Sequence, residues 1–387
     1  MIEQSNRVKQ TKESYIRNIL KVIQQPGMLS LAGGLPDASR FPQAILAQAA
    51  AELAEQPSIY QYGATEGLSE LRNWLLEHVA LADDVMVTSG SQQALDLIAR
   101  CYLNPGDQVL CEAPSYLGAL QIFDLAEAQT LTVKSESDGP NLAELEQLLA
   151  SQKIKLFYAV PDFQNPSSCC WSLAKRQAVA ELLAKYKVAF IEDAPYRELR
   201  FEGASLPTVT ELCDGDAFYL GSFSKIATPS MRVGYVMTSK ELLAPLKKVK
   251  QASDLHSALP MQKMLLSTIC HPDFKQHLEQ LTQHYRSRRD ALVNALNTHL
   301  SDYVEFTIPE GGMFVWCHLK RHQAHQVAAA ALKEKVAVVP GDEFWPANSE
   351  IHDQAIRLNY TALDAPQLEQ AVIRLARVMQ QSDITAE

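Results

Sequence analysis

From about residue 40 to residue 280, two kinds of apolar pattern alternate along the chain. Short continuous runs, as in Val85-Met86-Val87, Gln108-Val109-Leu110-Cys111-Glu112-Ala113 and Lys187-Val188-Ala189-Phe190-Ile191-Glu192-Asp193, have the length and β-branched content of buried strands. Between them lie longer stretches with helical spacing, such as the one with apolar residues at 94, 95, 97 and 98. The alternation predicts a mostly parallel sheet flanked by helices. After Arg286-Ser287-Arg288-Arg289-Asp290 the pattern becomes a shorter α+β one. It predicts strands near 303–307 and 312–318, a helix near 323–335, strands 336–339 and 355–360, and a final helix 365–379. Around 14–20 the spacing is again helical. These patterns predict an N-terminal segment, 1–35, that joins a small C-terminal domain, 286–387, beside a large domain, 36–285. No repeat, low-complexity tract or Gly/Ser linker interrupts the chain.

Composition narrows the reading only a little. With 387 residues, 47% of them hydrophobic, the chain can bury a sizeable core. A net charge of −10 argues against broad binding to nucleic acid or anionic membranes. No charged-then-apolar leader and no run of about 18 apolar residues occurs, so a soluble, cytoplasmic protein is expected. The seven cysteines are odd in number and irregularly spaced, with Cys169 and Cys170 adjacent and no Cys-x-x-Cys, which fits reduced thiols. His318, His322 and His325 could share a helical face, but they lack acidic or cysteine partners. A solvated patch is expected there, and no metal.

The chemistry concentrates at the ends of the predicted strands. Phe218-Tyr219-Leu220-Gly221-Ser222-Phe223-Ser224-Lys225 places a lysine just beyond a β-like run, behind two hydroxyls at alternate positions. Such a lysine can meet a carbonyl in a sheltered cleft and form a Schiff base; taken alone, the motif reads more readily as a solvated turn lysine. Arg232 follows seven residues later. Val85–Gln92 runs from strand into a Ser89-Gly90-Ser91-Gln92 turn that opens a helix. Its free N–H groups, with the Ser91 hydroxyl and the Gln92 amide, suit a dianion, though a capped helix without ligand has the same sequence. Asp193 ends a buried strand at the edge where open α/β sheets bind ligands, and a buried aspartate needs a partner. The protonated pyridine nitrogen of pyridoxal phosphate would be one. Tyr196 and Asn165 could donate to its phenolic oxygen, and Tyr116 could lie on its ring face. Each aromatic, taken singly, also reads as a core residue.

Together and in order, these residues resemble the class I/II aminotransferases of pyridoxal phosphate fold type I. The likeness is to the branch of 2-aminoadipate and kynurenine aminotransferases and to the aminotransferase-like half of MocR-type regulators. The matching segments are Leu31-Ala32-Gly33-Gly34-Leu35-Pro36, Tyr62-Gly63 with Gly67, Gly90-Ser91-Gln92-Gln93-Ala94-Leu95, Glu112-Ala113-Pro114-Ser115-Tyr116 and Phe163-Gln164-Asn165-Pro166. They continue through Glu192-Asp193, Leu220–Lys225, Gly311-Gly312-Met313-Phe314-Val315-Trp316 and Ile356-Arg357-Leu358.

The resemblance implies pyridoxal 5'-phosphate as cofactor, with Lys225 as its Schiff-base lysine and Asp193 as the pyridinium partner. It assigns Asn165 and Tyr196 to the ring oxygen and Tyr116 to stacking. Ser91, Gln92, Ser222, Ser224 and Arg232 become the phosphate cup, and Tyr62 reaches the phosphate of a neighbouring subunit, which implies a homodimer. Arg357 holds the substrate α-carboxylate, with Gly34 and Asn165 also at the substrate. Arg17, in Ser14-Tyr15-Ile16-Arg17, resembles a segment that meets a distal carboxylate, although an exposed arginine on an amphipathic helix has the same spacing. Three places depart from the pattern: Asn165-Pro166-Ser167-Ser168 stands for Asn-Pro-Thr-Gly, Pro229-Ser230 for Pro-Gly, and Ala194-Pro195 follows Asp193 where a second acid is common. None removes a catalytic group.

The activity implied is transfer of the amino group of an L-amino acid of 2-aminoadipate, aromatic or aliphatic type to a 2-oxo acid, with 2-oxoglutarate the expected acceptor. Lysine and cofactor do not by themselves separate transamination from β-elimination, so a β-lyase on the same fold is the alternative. A cofactor-binding regulator is a second one. It would need a DNA-binding domain, for which about thirty residues before Leu31 are too few.

Overall fold

The computed structural model describes residues 2–11, 15, 19, 25–79, 81–347, 349 and 354–384. Its frame is an eight-stranded sheet in the order Asp84–Thr88, Gly234–Thr238, Ala217–Ser222, Ala189–Asp193, Ile154–Ala159, Gln108–Ala113, Gln129–Glu136 and Gly139–Pro140. Six of these strands run the same way; Gly234–Thr238 and the two-residue edge strand Gly139–Pro140 run against them. This sheet with its flanking helices and a separate smaller sheet is the fold type I architecture expected from the sequence.

Successive residues of a strand face opposite sides of the sheet, and here both sides are covered. Leu110, Phe157 and Phe190 pack with Trp171, Val179 and Leu183 on one face. Their neighbours Val109, Tyr158 and Ile191 pack with Leu95, Ile98 and Phe123 on the other. Two apolar faces explain why these strands read as unbroken apolar runs. Helix starts are set locally: Ser172 accepts from the Lys175 N–H to open Leu173–Tyr186, and Thr208 with Glu211 forms a capping box. Lys187 then stops the first of these helices in a left-handed conformation, φ 55°. The strand ending at Asp193 therefore begins at Ala189, two residues later than the apolar run suggests.

A four-stranded antiparallel sheet, in the order Val304–Phe306, Phe314–Leu319, Ala355–Asn359 and Val339–Pro340, forms a second layer. The strand expected over 336–339 splits in two. Val336–Ala337 pairs in parallel with Leu29–Ser30, whereas Val339–Pro340 joins the four-stranded sheet. The division arises because the chain passes from one set of pairing partners to another around Val338. The expected boundary at 285–286 lies inside one continuous helix, Phe274–His299. Within 14–20 only Tyr15 and Ile19 are described; both are helical, and Ile19 is buried against Ala32, Trp316 and Phe344. Residues 31–35 then run between the two sheets. The Leu31 carbonyl accepts from the Asn359 N–H at 2.7 Å, and the Leu35 carbonyl accepts from the Thr361 hydroxyl at 2.7 Å.

Candidate active site

Because the strands run parallel, their C-terminal ends share one edge, and the predicted polar residues follow from those ends. Ser89-Gly90-Ser91 follows Asp84–Thr88, Tyr116 follows Gln108–Ala113, and Asn165 follows Ile154–Ala159. Asp193 closes its own strand, and Lys225 lies just past Ala217–Ser222. Gly234–Thr238 runs the other way, so Arg232, which precedes it, arrives at the same edge. All of these but Ser89 line a cavity of about 250 Å³, together with Gly34, Leu35, Gln92, Tyr196, Ser222, Ser224 and Arg357. Its charged side chains are Lys225, Arg232 and Arg357 against the single carboxylate of Asp193.

Asp193 is 3% exposed. Its Oδ2 accepts from the Tyr158 hydroxyl at 2.9 Å, and its Oδ1 is buried without a hydrogen bond. Burial raises its pKa to about 7, against the downward pull of the Tyr158 hydroxyl and, at looser geometry, that of Ser91. Lys225 donates to the Gly34 carbonyl at 2.9 Å. Burial lowers its pKa to about 8, helped by the positive charges of Arg357 and Arg232.

Arg357 sits on Ala355–Asn359, an inner strand of the small sheet, and is fully buried. Its Nη1 donates to Asn165 Oδ1 at 2.7 Å, its Nη2 to the Ala32 carbonyl, and its Nε has no partner. The guanidinium lies 4.3 Å from the centre of the Phe314 ring and 5.0 Å from that of Phe344. Burial lowers its pKa to about 10, so the group stays charged near neutral pH. Asn165 Nδ2 reaches toward the Tyr196 hydroxyl at 3.4 Å. Tyr196 in turn meets the Phe314 ring edge-on at 5.9 Å between centroids.

At the other end of the cavity, Gly90 has φ 88°, and a Cβ there would come within 2.6 Å of Arg232 Nη2. Only glycine leaves room for that arginine, which donates to the Ser89 carbonyl at 2.9 Å. The Ser222 and Ser224 hydroxyls are 3.1 Å apart. Gln92 accepts from the Tyr116 hydroxyl at 3.1 Å and donates to the Gly118 carbonyl at 2.9 Å, so it braces Tyr116.

Tyr62 lies away from this cavity and is 78% exposed, its ring edge-on to His256 at 6.0 Å. Arg17 lies outside the described residues. The three histidines do not share a helical face. His318 is on a strand, His322 precedes the helix Ala324–Lys333, and only His325 is in it, 3.0 Å from the Asp342 carboxylate. The periodicity carried no information there because the helix starts too late.

Sequence reasoning missed Tyr158, whose only signal was a polar tip within an apolar strand, and the rings of Phe314 and Phe344 beneath Arg357. At the departure Ser168, the serine keeps a left-handed backbone, φ 58°, and its hydroxyl donates to the Phe314 carbonyl at 2.6 Å.

Pyridoxal phosphate suits this cavity on three counts. The unpartnered, buried Oδ1 of Asp193 would take a protonated ring nitrogen. The positive excess suits a phosphate and a carboxylate. A lysine whose pKa is depressed stands ready for a carbonyl.

Residues 27–375 match the family model for aminotransferase class I and II. The chain is 37% identical to a 2-aminoadipate transaminase of Thermus thermophilus over 374 residues, covering 95% of this chain and 94% of that protein. Among solved structures it is similar to a Pyrococcus horikoshii kynurenine aminotransferase in complex with PMP, at 34% identity and a TM-score of 0.92, over 98% and 97% of the two chains. An α-aminoadipate aminotransferase from Thermus thermophilus, complexed with N-(5'-phosphopyridoxyl)-L-leucine, gives 35% identity and a TM-score of 0.90 over the same shares.

Proposed function

The chain belongs to the class I and II aminotransferases, and we propose that it transfers the amino group of 2-aminoadipate, aromatic or aliphatic L-amino acids to 2-oxoglutarate. It is a pyridoxal phosphate-dependent transaminase. The observation that carries the proposal is the meeting of Lys225, Asp193 and Arg357 around one cavity. Support for the donor class comes from the likeness to 2-aminoadipate and kynurenine aminotransferases. We also read the working form as a cytoplasmic homodimer.

When bound, the cofactor supplies an aldehyde that condenses with a primary amine and a ring that withdraws electrons from the carbon carrying that amine. Asp193 holds the proton on the ring nitrogen, and that cation in turn keeps Asp193 ionised. Ser91, Gln92, Ser222, Ser224 and Arg232 hold the phosphate. Tyr196 and Asn165 serve the ring oxygen, and Tyr116 covers the ring. Arg357 takes the α-carboxylate of the amino acid, beside Gly34, and so sets which bond of Cα stands perpendicular to the ring. With the cofactor bound, Lys225 Nζ would take the proton from Cα and deliver it to the carbon that the aldehyde supplied, and the 2-oxo acid half-reaction would run the same transfer in reverse. In the cofactor-free cavity burial and the charges of Arg357 and Arg232 lower its pKa to about 8, so burial favours the neutral amine that this step needs.

A panel of L-amino acids, each with 2-oxoglutarate, tests the reading by following both the donor's 2-oxo acid and glutamate. Equimolar formation of both is expected with 2-aminoadipate and with aromatic or aliphatic donors. Pyruvate released from a β-substituted amino acid without any acceptor would point to a lyase instead.

A further inference from the structure

The turn 89–91 lies over a buried charge that no role above has used. Lys250, on the helix Lys240–Asp254, is fully buried. Its Nζ donates at 3.0 Å to Gln93 Oε1, to the Asp254 carboxylate and to the Ser257 hydroxyl, which satisfies all three of its protons. Gln93 Oε1 also accepts from the Ser89 N–H at 2.8 Å, while Gln93 Nε2 donates to Asp254 at 2.6 Å. The Ser89 hydroxyl lies 3.3 Å from that of Ser257. The Ser89 carbonyl, meanwhile, holds Arg232. The Ser89 residue is therefore gripped at both ends: its N–H by an amide that Lys250 orients and polarises, its C=O by a guanidinium of the phosphate cup. Only Lys250 and Ser257 of this set are buried, with Gln93 half-buried and Asp254 exposed, but the buried ammonium with all its protons satisfied favours one geometry of the partners around it.

We propose that Lys250 is a positioning residue for the phosphate cup, acting through Gln93 to hold the 89–91 turn and Arg232 in place for the cofactor phosphate. It touches neither cofactor nor substrate in this role. The inference rests on the assignment of that cup, and its particular content is selectivity: losing Lys250 weakens what the turn and Arg232 bind and spares what Lys225 and Asp193 bind.

The test uses the full chain stripped of cofactor and titrated separately with pyridoxal phosphate and with pyridoxal, which lacks the phosphate. In the wild type, pyridoxal phosphate binds the more tightly. Lys250→Met raises the dissociation constant of pyridoxal phosphate at least fivefold and leaves that of pyridoxal within twofold. Gln93→Ala, which cuts the link but keeps the buried lysine beside Asp254, gives the same pattern and serves if Lys250→Met does not fold. A smaller effect on pyridoxal phosphate, or an equal loss with pyridoxal, overturns the positioning role while leaving the cup intact. A wild type that binds both compounds equally would remove the cup itself, and Lys250's role with it.

Discussion

Arg357 Nη1 donates to Asn165 Oδ1 at 2.7 Å, joining side chains 192 positions apart in the chain. One comes from an inner strand of the small sheet, the other from the loop after a strand of the large one. A hydrogen bond to a charged group contributes about 1.5–3 kcal/mol. Asn165→Ala is expected to lower kcat/KM for amino acids by roughly 10- to 150-fold, with a rise in KM because Arg357 loses one of its two hydrogen-bond partners and a fall in kcat because the ring oxygen loses a donor. Asn165→Asp places a carboxylate against the guanidinium and competes with the substrate's own, so its KM should rise further. Steady-state kinetics that leave KM unchanged in both variants would detach Asn165 from substrate binding.

Asp193 makes the cofactor-free protein sensitive to pH. Its pKa rises from 3.8 to about 7 on folding, so between those values the folded chain binds the proton more tightly than the unfolded one. The stability tied to this group is full below about pH 4 and is lost as pH rises through 7, on the order of 4 kcal/mol in all. Cofactor-free Asp193→Asn should therefore melt higher than wild type at pH 8 and close to it at pH 4. With cofactor the same variant should lose more than tenfold in turnover, since the ring nitrogen is no longer held protonated. Melting curves whose offset does not change with pH would mean that the buried carboxyl is not strained.

Tyr62 bears on assembly. It is 78% exposed, Tyr60 is 63% exposed, and Leu255, next to Tyr62's contact His256, is 51% exposed. A second copy covering this surface would bring Tyr62 to the partner's phosphate cup. Lys225→Ala and Tyr62→Ala chains, each nearly inactive alone, should then give about a quarter of wild-type activity when co-expressed in equal amounts, from one intact site in each mixed dimer. Activity no higher than that of the separate variants would assign Tyr62 to its own chain.

Ser168 separates backbone strain from hydrogen bonding. A non-glycine residue in the left-handed region costs about 1–2 kcal/mol, and here the hydroxyl offsets it by bonding the Phe314 carbonyl. Ser168→Ala keeps the strain and loses the bond, whereas Ser168→Gly loses both. Urea denaturation should place alanine below both wild type and glycine, lower than wild type by about 1–3 kcal/mol. Alanine at the wild-type midpoint would show that the bond contributes nothing.

What the sequence reveals here follows from strand direction. Parallel strands put their polar followers on one edge, so Ser89–Gln92, Asp193 and Ser222–Lys225 were readable as short local patterns. Tyr158 was not, because its tie to Asp193 depends on the pairing of two strands, with Tyr158 opposite Ile191. Lys250 escaped for a similar reason: it lies 157 positions from Gln93, on another helix. The histidine pattern misled because a spacing of three or four residues means nothing until a helix contains it. The split of 336–339 and the helix across 285–286 reflect which partners the chain meets, and local composition does not encode that.

The helix Phe274–His299 also fixes how this chain can change in length. Its 26 residues pass from Phe274 and Leu281 to Leu292 and Leu296 without a break, and all four are buried. Each residue advances the helix by about 100°. Deleting or inserting one residue anywhere between Tyr285 and Leu292 would turn every later side chain by that angle relative to the earlier ones and aim an apolar stripe at water. Insertions near a loop such as 202–206 carry no such phase. Within the helix, length is as constrained as identity, and only changes near a whole number of turns would keep both stripes facing inward.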